Sequence, residues 1–303
     1  MLIKNTLKRN EHFVTLYDKL KMFYYKNLIS DEKLIRKKFK KRLGREVEFE
    51  DPVDFSDKLQ WLKLNWYDPL ATTASDKYGV RKMVADQIGN QYLNDLLGVY
   101  ESVDEIELDK LPTSFVLKGT HGSGFNLICK DKDKIDWDLE FKKMKRWLKT
   151  NYYFEKREWV YKDIKPRIIC EKFLSDNKKN MALDDYKFYC FNGMPHYCQV
   201  IRGRGQRETI DFFDMQWRHM PFVGMRKLPN SNEEIKKPLK YGEMIQLAKK
   251  LSARFPFVRV DFYYVENHIY FGELTFFPTS GMGEFHPKEW NQKIGELLVL
   301  PKK

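Results

Sequence analysis

Two acidic residues near the C-terminus carry the most informative chemical signal. Phe257-Val258-Arg259-Val260-Asp261-Phe262-Tyr263 reads as a strand, and its alternation puts Arg259, Asp261 and Tyr263 on one face. On the next strand, Phe271-Gly272-Glu273-Leu274-Thr275, Glu273 and Thr275 share a face. If Glu266-Asn267-His268 is a three-residue turn, Asp261 faces Glu273 and Arg259 faces Thr275. Opposed carboxylates repel unless a cation lies between them. Mg²⁺ bound together with nucleotide phosphates suits a site of so few carboxylates. In another register both acids would face solvent. The flanking aromatic residues favour the semi-buried arrangement.

A second candidate is Lys118-Gly119-Thr120-His121-Gly122-Ser123-Gly124. Glycines let backbone N–H groups approach an anion, and the leading lysine supplies a charge. It is not a Walker A loop, because no GK[ST] opens a helix here. It is not a kinase loop either, because the lysine precedes the glycines and the chain has no HRD. A flap over phosphates and an ordinary glycine hairpin both fit. Further on, Glu171-Lys172-Phe173-Leu174 ends a strand whose backbone could meet an adenine edge. Asp185 could bond a ribose, and Lys187 could reach a phosphate.

These residues need strands to hold them. The sequence predicts strands at Ser114–Lys118 and Phe125–Cys129, joined by the glycine loop, and a strand at Ile168–Leu174. Asp185–Asn192 and His196–Arg202 form a hairpin around Asn192-Gly193, and Thr209–Phe213 is a short strand. The last hairpin pairs Val258–Val265 with Ile269–Thr275. Helices are expected at 11–29, Lys33–Arg42, Asp57–Leu64, Asp76–Ile88, Leu139–Asn151 and Tyr241–Phe255, and a polar loop at Asn177–Ala182. Separate hairpins between helices argue for an α+β fold.

The 303 residues include 22 Phe, 17 Tyr and 7 Trp, enough for a sizeable core. No apolar run is long enough to span a membrane, and no secretory leader is evident. The four cysteines form no CxxC pair, so a reducing cytoplasm is expected. Net charge is +12, and residues 1–50 hold 14 Lys+Arg against 7 Asp+Glu. Such a run is usually a solvated face. It also attracts phosphate, acidic sugar or an anionic membrane surface. The basic N-terminal helix is thus a candidate for docking on the protein body or on an anionic surface such as the inner membrane.

The ordered set of motifs resembles the ATP-grasp superfamily. More narrowly, Lys58–Leu64, Ser75–Arg81, Leu117–Gly124 and Asp185–Gly193 resemble the TupA-like family of teichuronopeptide biosynthesis, from about residue 40 to near the C-terminus. The resemblance implies two α+β subdomains gripping ATP after an N-terminal helical extension. It places that extension at 1–70 and the ATP-grasp unit at 71–303, with a glycine-flap part at about 112–174 and a metal-binding part at about 175–303. It implies that Lys77 and Lys118 hold phosphates under a cap of Gly122, Ser123 and Gly124. Glu171, Phe173 and Leu174 would frame adenine, and Asp185 the ribose. Lys187, Arg202 and Arg259 would be catalytic, and Asp261, Glu273 and Thr275 would bind Mg²⁺. Thr275 stands where many superfamily members have Asn.

The activity so implied is ATP-dependent carboxylate–amine ligation through an acyl phosphate, on a cell-surface polysaccharide or its precursor. The resemblance implies small-molecule or glycan carboxylate and amine substrates, and a polysaccharide-assembly partner for the basic N-terminal helix. The alternative is a glycosyltransferase using Asp131-Lys132-Asp133 as a metal-binding DxD, although a charged turn is the simpler reading. No motif supports specific nucleic-acid binding.

Overall fold

A computed structural model describes residues 20–175, 183–205 and 207–302. Within them, β1 (Leu96–Tyr100), β2 (Phe115–Gly119), β3 (Asn126–Cys129) and β4 (Ile168–Lys172) form an antiparallel sheet in the order β1-β4-β2-β3. A second antiparallel sheet has the order β10-β9-β5-β6-β7. Its strands are β5 (Asp185–Phe191), β6 (Met194–Arg202), β7 (Thr209–Asp214), β9 (Phe257–Val265) and β10 (His268–Thr275). A short pair, β8 (Val223–Gly224) with β11 (Phe285–His286), completes the strands among the described residues. The mixture of helices and antiparallel sheets is α+β.

The helices are α1 (Asp31–Leu43), α2 (Phe55–Asn65), α3 (Pro69–Ser75), α4 (Val80–Gln87), α5 (Trp137–Lys149), α6 (Tyr152–Lys156), α7 (Tyr241–Ser252) and α8 (Glu289–Glu296). Residues 20–27 are also helical, and Leu20 and Leu28 there are 60% and 65% exposed. Phe13, Leu16 and Tyr17 of the expected apolar stripe lie outside the described residues, as does the Asn177–Ala182 loop. Sequence explains the helix ends. Ser30 accepts the Lys33 N–H at 3.4 Å, and Gly44 closes α1 in a left-handed conformation.

Each sheet has its own core. Phe115, Leu117, Ile168 and Cys170 of the smaller sheet pack against Met144 of α5, and Trp137 stacks on Phe115 at 5.9 Å. The larger sheet packs one face on α7, where Tyr241 meets Phe188 at 5.6 Å. Phe55, Leu59 and Leu62 of α2 join this larger core, with Phe55 5.0 Å from Phe257. At roughly 1.5–3 kcal/mol per buried aromatic or leucine side chain, such clusters anchor α2 to the sheet.

Two local expectations need correction. The helix predicted over Asp76–Ile88 begins only at Val80, because Asp76 Oδ1 accepts the Tyr78 N–H at 3.0 Å and closes a turn. That turn docks on the flap through the Lys77 N–H, which donates to the Thr120 carbonyl at 3.3 Å. The other concerns the last hairpin. Its turn is Glu266-Asn267, both with positive φ, and His268 pairs with Val265. A bulge at Gly272 then restores the opposition of Glu273 to Asp261 and of Thr275 to Arg259. The pairing matches the expectation, but a shorter turn plus one extra residue produces it.

Candidate active site

The site is built on the face of the larger sheet that α7 does not cover. β5 is buried along its whole length because it lies between β9 and β6. Its alternate residues Asp185, Lys187 and Tyr189 stand opposite Tyr263, Asp261 and Arg259 of β9. On the other side Asp185 and Lys187 pair with Ile201 and Gln199 of β6. Period two therefore aligns three strands' polar residues in rows on one surface. These rows line a cavity of about 330 Å³, to which Lys77, Lys118, Ser123 and Gly124 contribute from the flap side.

Charge in this cavity is densely paired. Arg259 donates Nε to Asp261 Oδ1 and Nη2 to Asp261 Oδ2, each at 2.7 Å. Nη2 also reaches Glu273 Oε1 at 3.2 Å and Thr275 Oγ1 at 3.1 Å. The cation between the two opposed carboxylates is thus the Arg259 guanidinium. Lys187, 6% exposed, contacts Asp261 Oδ2 and lies 3.2 Å from Asp185. Burial raises the Glu273 carboxyl, but Lys77, Arg259 and Lys187 outweigh it and hold the group at about 2. Burial draws the Lys77 ammonium down, while Glu273 pulls it back up.

The flap is tethered from below, with Lys77 Nζ donating to the Gly122 carbonyl at 2.6 Å. Gly124 adopts φ 82°, where a side chain would be strained. Next to the charged cavity lies a more apolar one of about 250 Å³, with Phe173, Leu174 and Phe271 in its walls. Lys118, Glu171 and Asp185 also line it. Glu171 is held between Lys118 at 2.7 Å and Arg81 at 3.0 Å.

Most of the residues singled out in the sequence come together at these two cavities, but not Arg202. It lies on the opposite side of β6 from Gln199 and Ile201, 3.6 Å from Asp184. Arg204 takes a place in the cleft instead, 2.7 Å from Asp185, in a turn between Gly203 and Gly205, both at positive φ. Thr275 lines a neighbouring cavity rather than the one holding Asp261. His121 is buried away from the cleft, with Nε2 2.8 Å from the Trp147 carbonyl. Asp131-Lys132-Asp133 is a capped turn: Asp131 accepts the Asp133 N–H at 3.1 Å and pairs with Lys134 at 2.6 Å. Arg81 and Arg204 were missed, because nothing local in the sequence marks their distant carboxylate partners.

The oxygens around Asp261 are of the kind that magnesium takes, and in this structure Arg259 and Lys187 engage them. Two carboxylates and the Thr275 hydroxyl are hard oxygen donors on adjacent strands, and such ions take their remaining ligands from water and phosphate. Among the described residues no group of three or more His, Cys, Asp or Glu gathers to form an all-protein cage. Asp261 and Glu273 would hold the ion, with Thr275 behind them.

Depression of the Glu273 carboxyl ties the stability of the fold to acid. Its folded pKa lies below that of a free carboxyl, so the stabilisation is present above about pH 4.5 and is lost as pH falls toward about 2. The side chain is 40% exposed, so solvent screening reduces the contribution to about 1 kcal/mol. Wild-type protein is expected to melt above Glu273→Gln at pH 6, with the gap closing toward pH 2. A gap that stays constant across that range would contradict this electrostatic account.

Two sheets closing on a cleft of lysines and paired carboxylates, with a glycine flap between them, define an ATP-grasp fold. The family model described as TupA-like ATPgrasp matches residues 57–299, and the chain belongs to that family. No curated protein sequence matches it. Among solved structures it is similar to D-alanine–D-alanine ligase from Bacillus anthracis complexed with ATP, at 14% identity and TM-score 0.39, over 72% of this chain and 56% of that one. It is also similar to the L-amino acid ligase from Bacillus licheniformis, at 12% identity and TM-score 0.41, over 75% of this chain and 49% of that one. A third is the ATP-grasp ligase PsnB complexed with minimal precursor, Mg and ADP, at 12% identity and TM-score 0.39, over 80% and 64%. The chain thus spans about half to two thirds of these proteins. No helix among the described residues is long and apolar enough to cross a membrane.

Proposed function

We propose that the cleft binds Mg-ATP and that the protein is a carboxylate–amine ligase working through an acyl phosphate. The observation that carries this reading is the convergence of Lys77, Lys118, Lys187 and Arg259 with Asp261 and Glu273 in one cavity beside an apolar slot. Adenine lies in the slot near Phe173 and Leu174, and the triphosphate runs beneath Ser123 and Gly124 toward Arg259. The substrate carboxylate attacks the γ-phosphorus, forming a C–O–P linkage and releasing ADP. The amine nitrogen then bonds to the carbonyl carbon. Inorganic phosphate departs with the C–O electron pair, and the surplus amine proton passes to water. Such chemistry depends on clamping developing charge rather than on a protein nucleophile. Mg²⁺ held by Asp261 and Glu273 would neutralise triphosphate charge.

The substrate is a cell-surface polysaccharide or its precursor, with an amide formed on a uronic acid or an amino acid. The family resemblance and the net charge of +12, suited to an acidic glycan, support this. ADP release with paired uronic acids and amines tests the reaction. Release of a nucleoside diphosphate from a sugar donor, with no ATP consumption, would overturn it. For the metal site, Glu273→Gln is expected to raise the Mg²⁺ concentration needed for half-maximal turnover by about tenfold, with partial rescue by excess metal. An unchanged Mg²⁺ requirement would remove Glu273 from the metal site.

A further inference from the structure

Behind the charged cleft lies a third cavity of about 440 Å³. Ser123, Arg259, Glu273, Pro278 and Thr279 line both cavities, so one wall separates the phosphate site from this chamber. The wall is strained. Thr279 and Ser280 hold left-handed φ values of 50° and 58°, which cost free energy for residues other than glycine. Buried Lys63 keeps that loop in place, donating to the Ser280 carbonyl at 2.8 Å and to its hydroxyl at 3.1 Å. Gln60 donates to the same carbonyl at 3.1 Å.

The chamber contains two opposite kinds of recognition group. Lys38 and Arg42 of α1 and Lys156 of α6 line it with positive charge. Neither Lys38 nor Arg42 forms an ion pair with a carboxylate among the described residues, though Lys38 donates to the Glu155 carbonyl. Glu158 also lines the chamber, only 3% exposed, and its Oε1 accepts no hydrogen bond from any described residue. A buried carboxylate oxygen without a donor is costly and calls for a cationic or N–H ligand. Burial raises the Glu158 pKa, while Lys63, a hydrogen bond from Ser280, Lys156 and Lys38 oppose the rise. Burial also draws Lys38 down to about 8 against the pull of Glu155. Both groups gain from a ligand of opposite charge.

We propose that this chamber holds the amine substrate, and that this amine carries an acidic group of its own, as an amino acid does. The ammonium meets Glu158, and the acidic group meets Lys38 and Arg42. This places the nucleophile next to the phosphate site, since Ser123, Arg259 and Glu273 border both cavities. It also gives α1, outside the family-matched stretch 57–299, a substrate-binding role. The inference rests on the ligase reading above.

The test uses the full chain and four probes: glycine, L-alanine, L-aspartate and L-glutamate. Each is compared with its α-carboxamide, which lacks the α-carboxylate, and its N-acetyl form, which lacks the ammonium. Affinities come from ligand-observed NMR with and without ADP and Mg²⁺, and ATP affinity comes from calorimetry. At least one amino acid is expected to bind about tenfold or more tightly than both its derivatives. Glu158→Gln should abolish the preference over the N-acetyl form. Arg42→Ala, at an exposed position, and Lys38→Met should abolish the preference over the amide. ATP binding with no amino-acid binding, or preferences unchanged in all three variants, overturns the chamber assignment alone. Amino-acid binding with no ATP binding overturns the nucleotide reading and leaves the chamber standing.

Discussion

Arg259→Ala is expected to lower kcat by roughly 10²-fold or more, with no recovery at high Mg²⁺. Arg259 lies in the wall between the charged cleft and the chamber behind it and makes four hydrogen bonds to Asp261, Glu273 and Thr275. Among the described residues no other cation in the cleft touches both carboxylates. Its loss removes a positive charge where phosphoryl charge develops. It also leaves Asp261, 3% exposed, with Lys187 as its remaining cation. The variant should therefore lose stability as well, on the order of 2 kcal/mol. Arg259→Lys should fall between, because an ammonium keeps the charge and loses the planar fork. Steady-state kinetics over a Mg²⁺ series, with thermal melts, separates these effects. A folded alanine variant within about threefold of wild-type kcat would refute the clamp.

Lys118→Ala is expected to weaken ATP binding by about tenfold to a hundredfold, because a charge-assisted phosphate contact is lost. The fold should survive. Lys118 sits at the open side of β2, 22% exposed, and its carboxylate partner Glu171 keeps the Arg81 contact at 3.0 Å. The existing Lys118–Glu171 pair means that phosphate must compete with a carboxylate for the lysine, so measured affinity reports an exchange of partners. Calorimetric titration of ATP into the folded variant decides the matter, and unchanged affinity would dismiss the flap as a phosphate cap.

The rows of the site were legible in the sequence because alternation along a strand is a property of the backbone. Arg259, Asp261 and Tyr263 had to share a face, as did Asp185 and Lys187, whatever the sheet around them. The flap was legible because its glycines interrupt two apolar runs. Contacts set by distant parts of the chain were not. Glu171 meets Arg81 across 90 residues, and no local pattern marks either as the other's partner. Arg202 illustrates a limit of motif position alone: one step along β6 turns a side chain out of the cleft. Arg204 enters it by a glycine turn past the strand end. β1 was overlooked because Gly98 and the bulge beside it break the alternation that marks a strand. The chamber was also invisible, since its cations and its carboxylate come from separate helices and loops.

The Gly272 bulge gives the last hairpin a rule of compensation. With a two-residue turn and an unbroken ladder, Glu273 would pair with Val260 and turn toward the core. One surplus residue in β10 cancels one missing residue in the turn. A chain with a three-residue turn and no bulge would present the same acids. Deleting Gly272 alone should keep Glu273 opposite Asp261 while straightening the strand. That variant isolates what the bend itself contributes, since the Gly272 backbone lies against the Asp261 carbonyl, which an added Cβ would meet at 3.1 Å.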